Sequence, residues 1–510
     1  MSERGSFRSA GGRPGGFNKS GGKGRPGSKD GRGSFPKRGA QGGDNRQSRP
    51  HPSRTSSPTP RVSVDPARQV AFDVLVSVSA RDAYANLVLP QLLAERRITG
   101  RDAAFATELT YGTLRMQLFL DAVLAACSDR PISEVDLRLK EVLRLGAYQL
   151  LFMRVPSHAG VSATVDVARA TVGEGQAKFA NAILRKISER DEAQWTELIV
   201  PDATDQSVPA LSVRHSHPEW IVRALADALG EEAEIAEALA ANNERPSVHL
   251  AARPGRITAS ELAAQTGGDV GAYAPDAVYL PSGDPSGVSA LREGRAHVQD
   301  EGSQLVARAL ASVAMAHDVH WLDLCAGPGG KAALLGALAA QNNADVTAVE
   351  VTEHRADLVR GAVMNMPVNV VHTDGRLVGE HQALPENHFD RVLVDAPCTG
   401  LGALRRRPEA RWRKQPSDIP ALTKLQRELL AAAIRAARPG GVIAYVTCSP
   451  HKAETVVTVA DALRRFDVAA LDAREFLPGV PELGAGPFVQ LWPHRHGTDA
   501  MFLALLRKQS

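Results

Sequence analysis

The chain is poor in cysteine: four in 510 residues, Cys127, Cys325, Cys398 and Cys448. None forms a C-x-x-C pair, and their wide spacing argues against a structural zinc site or a disulfide framework. Long apolar runs are also missing; none approaches the roughly 20 residues that span a bilayer. The opening residues, MSERGSFRSAGGRPGG, lack the apolar segment of a secretory signal. A cytoplasmic protein without membrane attachment is expected. Residues 1–64 almost lack aliphatics and consist largely of Gly, Ser, Pro, Arg and Lys. Such a segment cannot bury enough apolar surface to offset its ordering entropy, so a disordered tail is expected there.

That tail holds 14 Lys+Arg against 3 Asp+Glu, a net +11, which leaves −8 for the rest of a chain whose total is +3. A cationic arm of this kind serves either as a solubilising leader or as a phosphate-attracting RNA arm. Beyond it, hydrophobic residues make up 43% of the chain, ordinary for a globular protein with more than one core.

Asp65-Pro66 reads as a helix start, with a capping residue followed by proline at the first helical position. Val70, Val74, Leu75 and Val78 then recur on one face, as do Leu143, Ala147, Leu150 and Leu151. No alternating strand pattern interrupts 65–190, which predicts an all-α domain. Residues 205–295 read as a small α+β module, with a helix over 217–230 that has Pro218 in its first turn. From 296 onward short apolar strands (VHWLDL, ADVTAVE, VNVVHT, FDRVLVDA, GVIAYVT) alternate with helical spans. That alternation predicts an α/β domain with a mainly parallel sheet.

Three motifs carry chemistry. In WLDLCAGPGGKAALLGALAA (321–340) a strand runs through a glycine turn into a helix. A phosphate loop would need glycine at Cys325 and a hydroxyl at Ala332, so that option fails twice. The frame Gly327, Gly329, Ala332 suits a dinucleotide or S-adenosylmethionine, with Glu350 at the next strand end for ribose hydroxyls. Asp323 is unwelcome beside a diphosphate and suits a cationic methionine moiety. Asp374, after a third strand, is placed to accept from an adenine amino group.

The other two motifs, DAPCTGLG (395–402) and YVTCSPHKAE (445–454), each put a cysteine just past a strand. Two loop cysteines beside such a cofactor point to covalent chemistry on a pyrimidine. Carbon 5 of cytosine is a poor nucleophile until a thiolate adds to carbon 6. Asp395 is suited to protonate or hydrogen-bond N3 of the adduct.

Together CAGPGGK, DAPCTG and TCSP resemble the motifs of the Sun (Fmu, RsmB) family of RNA cytosine-5 methyltransferases. RDAAFATELTYGTLR, LRLGAYQLLFMRVP and KFANAILRKI resemble the NusB-type RNA-binding helical domain that precedes the Rossmann-like methyltransferase domain in that family. The resemblance covers everything from about 65 to the C-terminus. It implies Cys448 as the nucleophile and Cys398 as the cysteine that aids product release. It implies S-adenosylmethionine contacts from Cys325, Ala326, Gly327, Pro328, Gly329, Gly330, Lys331, Glu350, Asp374 and Asp395, and makes Cys325 a cofactor-loop residue. The substrate it implies is 16S ribosomal RNA, with transfer RNA as the alternative.

Two departures stand out: Glu350 occupies a position where many relatives have Asp, and PHKAETVV replaces the usual acidic, Asn-bearing stretch after TCS. Beside the catalytic loop, Arg405, Arg406, Arg407, Arg411, Arg413 and Lys414 are expected to contact RNA phosphates, with Trp412 either there or in the core. His494 and His496 make a weak metal pair, and no metal is expected; a monomer is. Two rival readings are a non-catalytic NusB-type RNA binder and an NAD(P)-linked dehydrogenase, and each leaves both loop cysteines idle.

Overall fold

Asp65 does cap the first helix, Pro66–Arg81, through a 2.8 Å bond from the Arg68 N–H, and Pro66 occupies its first turn. In this computed structural model, which describes residues 64–230, 234–281 and 285–510, helices follow one another without a strand as far as Ile199. The basic tail expected over 1–64 falls outside the described residues apart from Val64. Val70, Val74, Leu75 and Val78 are buried together with Leu143 and Ala147 in one apolar cluster, while Leu150 and Leu151 pack at its edge. Each fully buried aliphatic of this kind contributes about 1.5–3 kcal/mol.

Next comes a four-stranded antiparallel sheet, order β2-β3-β1-β4: β1 (Val248–Ala252), β2 (Asp269–Val270), β3 (Ala277–Leu280) and β4 (Ala296–Val298). The helix read over 217–230 spans Glu219–Leu229, with Pro218 as its N-cap residue and Gly230 closing it at φ +73°.

The C-terminal sheet comprises β5 (His320–Asp323), β6 (Asp345–Glu350), β7 (Val368–His372), β8 (Phe389–Asp395), β9 (Ala437–Thr447), β10 (Val468–Leu471), β11 (Val489–Gln490) and β12 (Phe502–Lys508). Its order is β10-β12-β9-β8-β5-β6-β7, with β11 beside β12. The five strands from β9 to β7 are parallel, β12 runs antiparallel to β9, and β10 runs antiparallel to β12. One face is covered by the helices Glu301–Ser312 and Gly330–Gln341, the other by Ile419–Ala436 and Val456–Arg465. The chain builds outward from β5 through β6 to β7, then returns to the far side of β5 with β8. Strand order therefore reverses between β5 and β8, where open α/β sheets bind their ligands at the carboxyl ends. No helix among the described residues is long and apolar enough to cross a membrane.

Candidate active site

At the carboxyl end of β5 the chain turns through 324–329 into the helix Gly330–Gln341. The Gly327 N–H donates to Glu350 Oε2 at 3.2 Å, and a Cβ on Gly327 would stand 2.2 Å from that same oxygen. A side chain there would displace the Glu350 carboxylate. Arg355 donates to the Gly327 carbonyl at 2.6 Å and approaches the Glu350 carboxylate at 3.5 Å. Ala326 is buried and bonded to β6 through Val349 O at 2.8 Å. Asp374 leaves β7 on the same edge and is held by Arg376 at 2.6 Å, which keeps its carboxyl below the usual range. A Cβ on the following Gly375 would stand 2.8 Å from Leu324 O, so this loop lies against the turn.

Asp323 is the unusual member. It is 1% exposed, Oδ1 accepts from the Cys325 N–H at 3.3 Å, and Oδ2 has no hydrogen-bond partner. Burial, and then the charge of Asp395, push its carboxyl up to about 7. An orphaned, buried acid of this kind is stabilised by a cation brought beside it. Burial and then Asp323 also push the Cys325 thiol well above the usual thiol range, which disfavours a thiolate there. Lys331 extends from the helix start to Asp395 Oδ2 at 2.9 Å and Ser303 Oγ at 3.2 Å. Burial opposes its charge, but the Asp395 carboxylate outweighs it and holds the ammonium above its ordinary pKa.

The two loop cysteines meet. Parallel register pairs Asp395 of β8 with Val446 of β9, so both chains leave the sheet side by side. Cys398 Sγ lies 3.4 Å from Cys448 Sγ. Three contacts staple the loops: Gly402 N–H to Cys448 O at 2.9 Å, Thr399 Oγ1 against Ser449 Oγ at 3.0 Å, and Thr399 N–H to Glu454 Oε1 at 2.8 Å. A Cβ on Gly402 would stand 2.1 Å from Ala500 O, so the first staple needs glycine. Glu454 is fully buried and also receives Gln426 Nε2 at 3.2 Å.

The pair is electrostatically unequal. The hydrogen bond with Cys448, then burial, drive Cys398 well above the usual thiol range. The same bond lowers Cys448; Lys331 and Arg407 also favour its thiolate, against burial and the Asp395 charge. When one thiol of the pair ionises, these influences favour the charge on Cys448 and the proton on Cys398.

Sequence reasoning passed over Glu454, Thr399, Ser449 and Gln426. Glu454 ends the PHKAE segment noted for departing from its relatives, and nothing in a short polar stretch marks one glutamate as buried.

The arginine cluster requires a correction. Arg411 is fully buried, donating to the carbonyls of Arg115, Ser216 and Asn242 and to Asn243 Oδ1 at 2.7–3.2 Å. Arg405 is 5% exposed and donates to Gly497 O at 2.8 Å; Arg406 is engaged by Asp300 and Asp499. Arg413 donates to Ala83 O and lies over the Tyr84 ring. These four are committed to internal acceptors, so RNA phosphates do not reach them as a solvated stripe. Trp412 likewise donates to Leu114 O at 3.0 Å. Arg407 is exposed and Lys414 half-buried. His494 pairs with Glu234 and His496 bonds to Pro481 O; no cluster of three or more metal-ligating side chains occurs among the described residues.

Residues 310–507 match the model of the 16S rRNA methyltransferase RsmB/F family, and residues 65–189 that of the NusB family. A putative methyltransferase of Mycobacterium tuberculosis (strain ATCC 25618 / H37Rv) is 59% identical over 448 residues, 87% of this chain and 97% of the relative. The probable ribosomal RNA small subunit methyltransferase B of Bacillus subtilis (strain 168) is 31% identical over 457 residues, 87% of this chain and 98% of that one. The crystal structure of PH0851 shares the fold, with a TM-score of 0.73 at 23% identity, covering 88% of this chain and 99% of that chain.

Proposed function

Because this chain belongs to the RsmB/F family of RNA methyltransferases, we propose that it methylates carbon 5 of a cytosine in 16S ribosomal RNA. The donor is S-adenosylmethionine, and the reaction runs through a covalent bond from Cys448 to carbon 6. The observation that carries this reading is the 3.4 Å separation of two sulfurs beside the glycine turn, with ionisation favoured at Cys448 over Cys398.

The donor fits the residues present: the unpartnered Asp323 oxygen awaits a cation, and the glycine cradle with Glu350 suits a ribose. Glu350, Asp374 and the turn 325–331 would hold it, and when bound it supplies an electrophilic methyl group. The chain's own residues do the rest. Cys448 as thiolate adds to carbon 6 of the unstacked base, which makes the ring enamine-like at carbon 5. Asp395, kept near by Lys331, hydrogen-bonds at N3 and stabilises the adduct. After methylation a base, with solvent water as the final acceptor, takes the carbon 5 proton; the C5–H electrons restore the ring double bond, the C6–S bond breaks and Cys448 leaves as thiolate, with Cys398 assisting release. Arg407, exposed and within electrostatic reach of Cys448, and the half-buried Lys414 are the cluster residues available to a phosphate. The division of labour assigns RNA binding to 65–190 and 205–295 and methyl transfer to 296–510.

Bisulfite mapping of RNA from a deletion strain tests the substrate: one protected cytosine disappears from 16S ribosomal RNA and transfer RNA is unchanged. Loss of protection in transfer RNA alone, or none anywhere, refutes it.

Asp323 adds a pH signature. With its carboxyl near pH 7 in the free protein, binding a cationic ligand below that pH must displace a proton. Affinity for S-adenosylmethionine, measured without RNA, therefore rises with pH by up to about tenfold per unit below pH 7 and levels off above it. Calorimetric titration between about pH 5.5 and 8 checks this, and Asp323→Asn flattens the profile.

A further inference from the structure

We propose that Cys398 and Cys448 form a redox-modification site: hydroperoxides join the two sulfurs in a reversible disulfide that withdraws both from RNA. This goes beyond the proposed function and requires neither RNA nor methyl donor.

The geometry is nearly that of the product. The sulfurs stand 3.4 Å apart, so bonding at about 2.05 Å asks them to close by roughly 1.3 Å, within reach of side-chain rotation. The Gly402–Cys448, Thr399–Ser449 and Thr399–Glu454 bonds hold the two loops together at this spacing. Both cysteines are partly exposed, so a small oxidant reaches them. Cys127 differs, being 3% exposed in the helical core.

The steps balance. The Cys448 thiolate attacks one peroxide oxygen, the O–O bond breaks, and sulfenic acid and hydroxide form. The Cys398 sulfur then attacks the sulfenic sulfur, its proton leaves with the hydroxyl as water, and the disulfide results. Peroxide is reduced by two electrons and the two thiols are oxidised. A dithiol reductant reverses the bond by exchange. Without a neighbouring thiol, sulfenic acid at Cys448 would advance to sulfinic acid, which such reductants do not reverse. Cys398 thus acts as resolving thiol for the nucleophile.

The full-length reduced protein is treated with hydrogen peroxide, then unfolded, alkylated and mapped by mass spectrometry, with methyl transfer assayed in parallel. The wild type loses two hydrogens in mass, yields a peptide pair joined through Cys398 and Cys448, and leaves Cys127 and Cys325 alkylated. Transfer activity falls to background and returns with dithiothreitol. Cys127→Ser behaves as wild type; Cys398→Ser accumulates sulfinic acid at Cys448 that dithiothreitol does not remove. The proposal is overturned if wild-type Cys448 becomes sulfinic while Cys398 stays alkylatable, or if the disulfide joins any other cysteine. The mass readout stands even if the RNA or donor is misassigned, so the two readings fail separately.

Discussion

A Cys398→Ala variant given substrate RNA and S-adenosylmethionine accumulates an RNA–protein complex that survives denaturing electrophoresis, whereas Cys448→Ala forms none. The asymmetry follows from the pair's electrostatics. Cys448 is the sulfur whose pKa is lowered, chiefly by its bond with Cys398 and further by Lys331 and Arg407, so it carries the attacking charge. Its removal abolishes attack at carbon 6 and lowers turnover on the order of 10⁴-fold or more, the scale on which loss of a nucleophile is felt. Cys398 is the sulfur whose ionisation is disfavoured, and its removal leaves attack possible while impairing release.

A second consequence comes with it. Without Cys398 the Cys448 thiolate loses its chief stabiliser, so adduct formation in Cys398→Ala starts slowly at neutral pH and accelerates as pH rises toward the ordinary thiol range. Rates of adduct formation against pH, read on gels, measure this. Should Cys448→Ala instead form the adduct, the two roles are exchanged.

Arg411→Ala loosens the seat of the catalytic loop on the helical domain. Arg411 donates to four acceptors drawn from three segments: Arg115 O at 3.0 Å, Ser216 O at 3.2 Å, Asn243 Oδ1 and Asn242 O both at 2.7 Å. Burial, and then Arg115, lower its guanidinium pKa well below the usual range, so the site tolerates this charge only because its donors are satisfied. Truncation leaves neutral acceptors buried without a donor, at about 1–3 kcal/mol for each that water does not reach.

Hydrogen exchange is the better measure, since a chain with several cores need not unfold in one step. Protection falls around 115–118, 215–217 and 242–243, and Arg411→Lys, which keeps a charge but not the planar fork, recovers only part of it. Unchanged exchange there would falsify the structural role and return Arg411 to the RNA-facing reading.

Arg411 also shows where a linear reading stops. In RRRPEARWRK a basic run reads as a solvated face, because charges along a chain usually face water. Its burial depends on carbonyls from residues 115, 216 and 242, nearly 170 to 300 positions away, and no local pattern encodes that. Glu454 is the same case: ordinary in PHKAE, yet folded beneath Thr399 and Gln426.

The elements themselves were legible. Asp65-Pro66, the one-face spacing of Val70, Val74, Leu75 and Val78, and the run FDRVLVD determine helix and strand locally, through capping and hydrophobic period. The glycine turn and two cysteines just beyond strand ends were equally readable, because strand ends and turn chemistry are short-range properties. Only the tertiary structure decided that Cys398 and Cys448, 50 residues apart, bring their sulfurs to 3.4 Å. It also left one oxygen of Asp323 unpartnered, buried Arg405 and Arg411, and tied Arg406 and Arg413 to acceptors within the protein. Distance, desolvation and partner supply arise when remote segments pack, so they belong to the folded chain and not to any stretch of it.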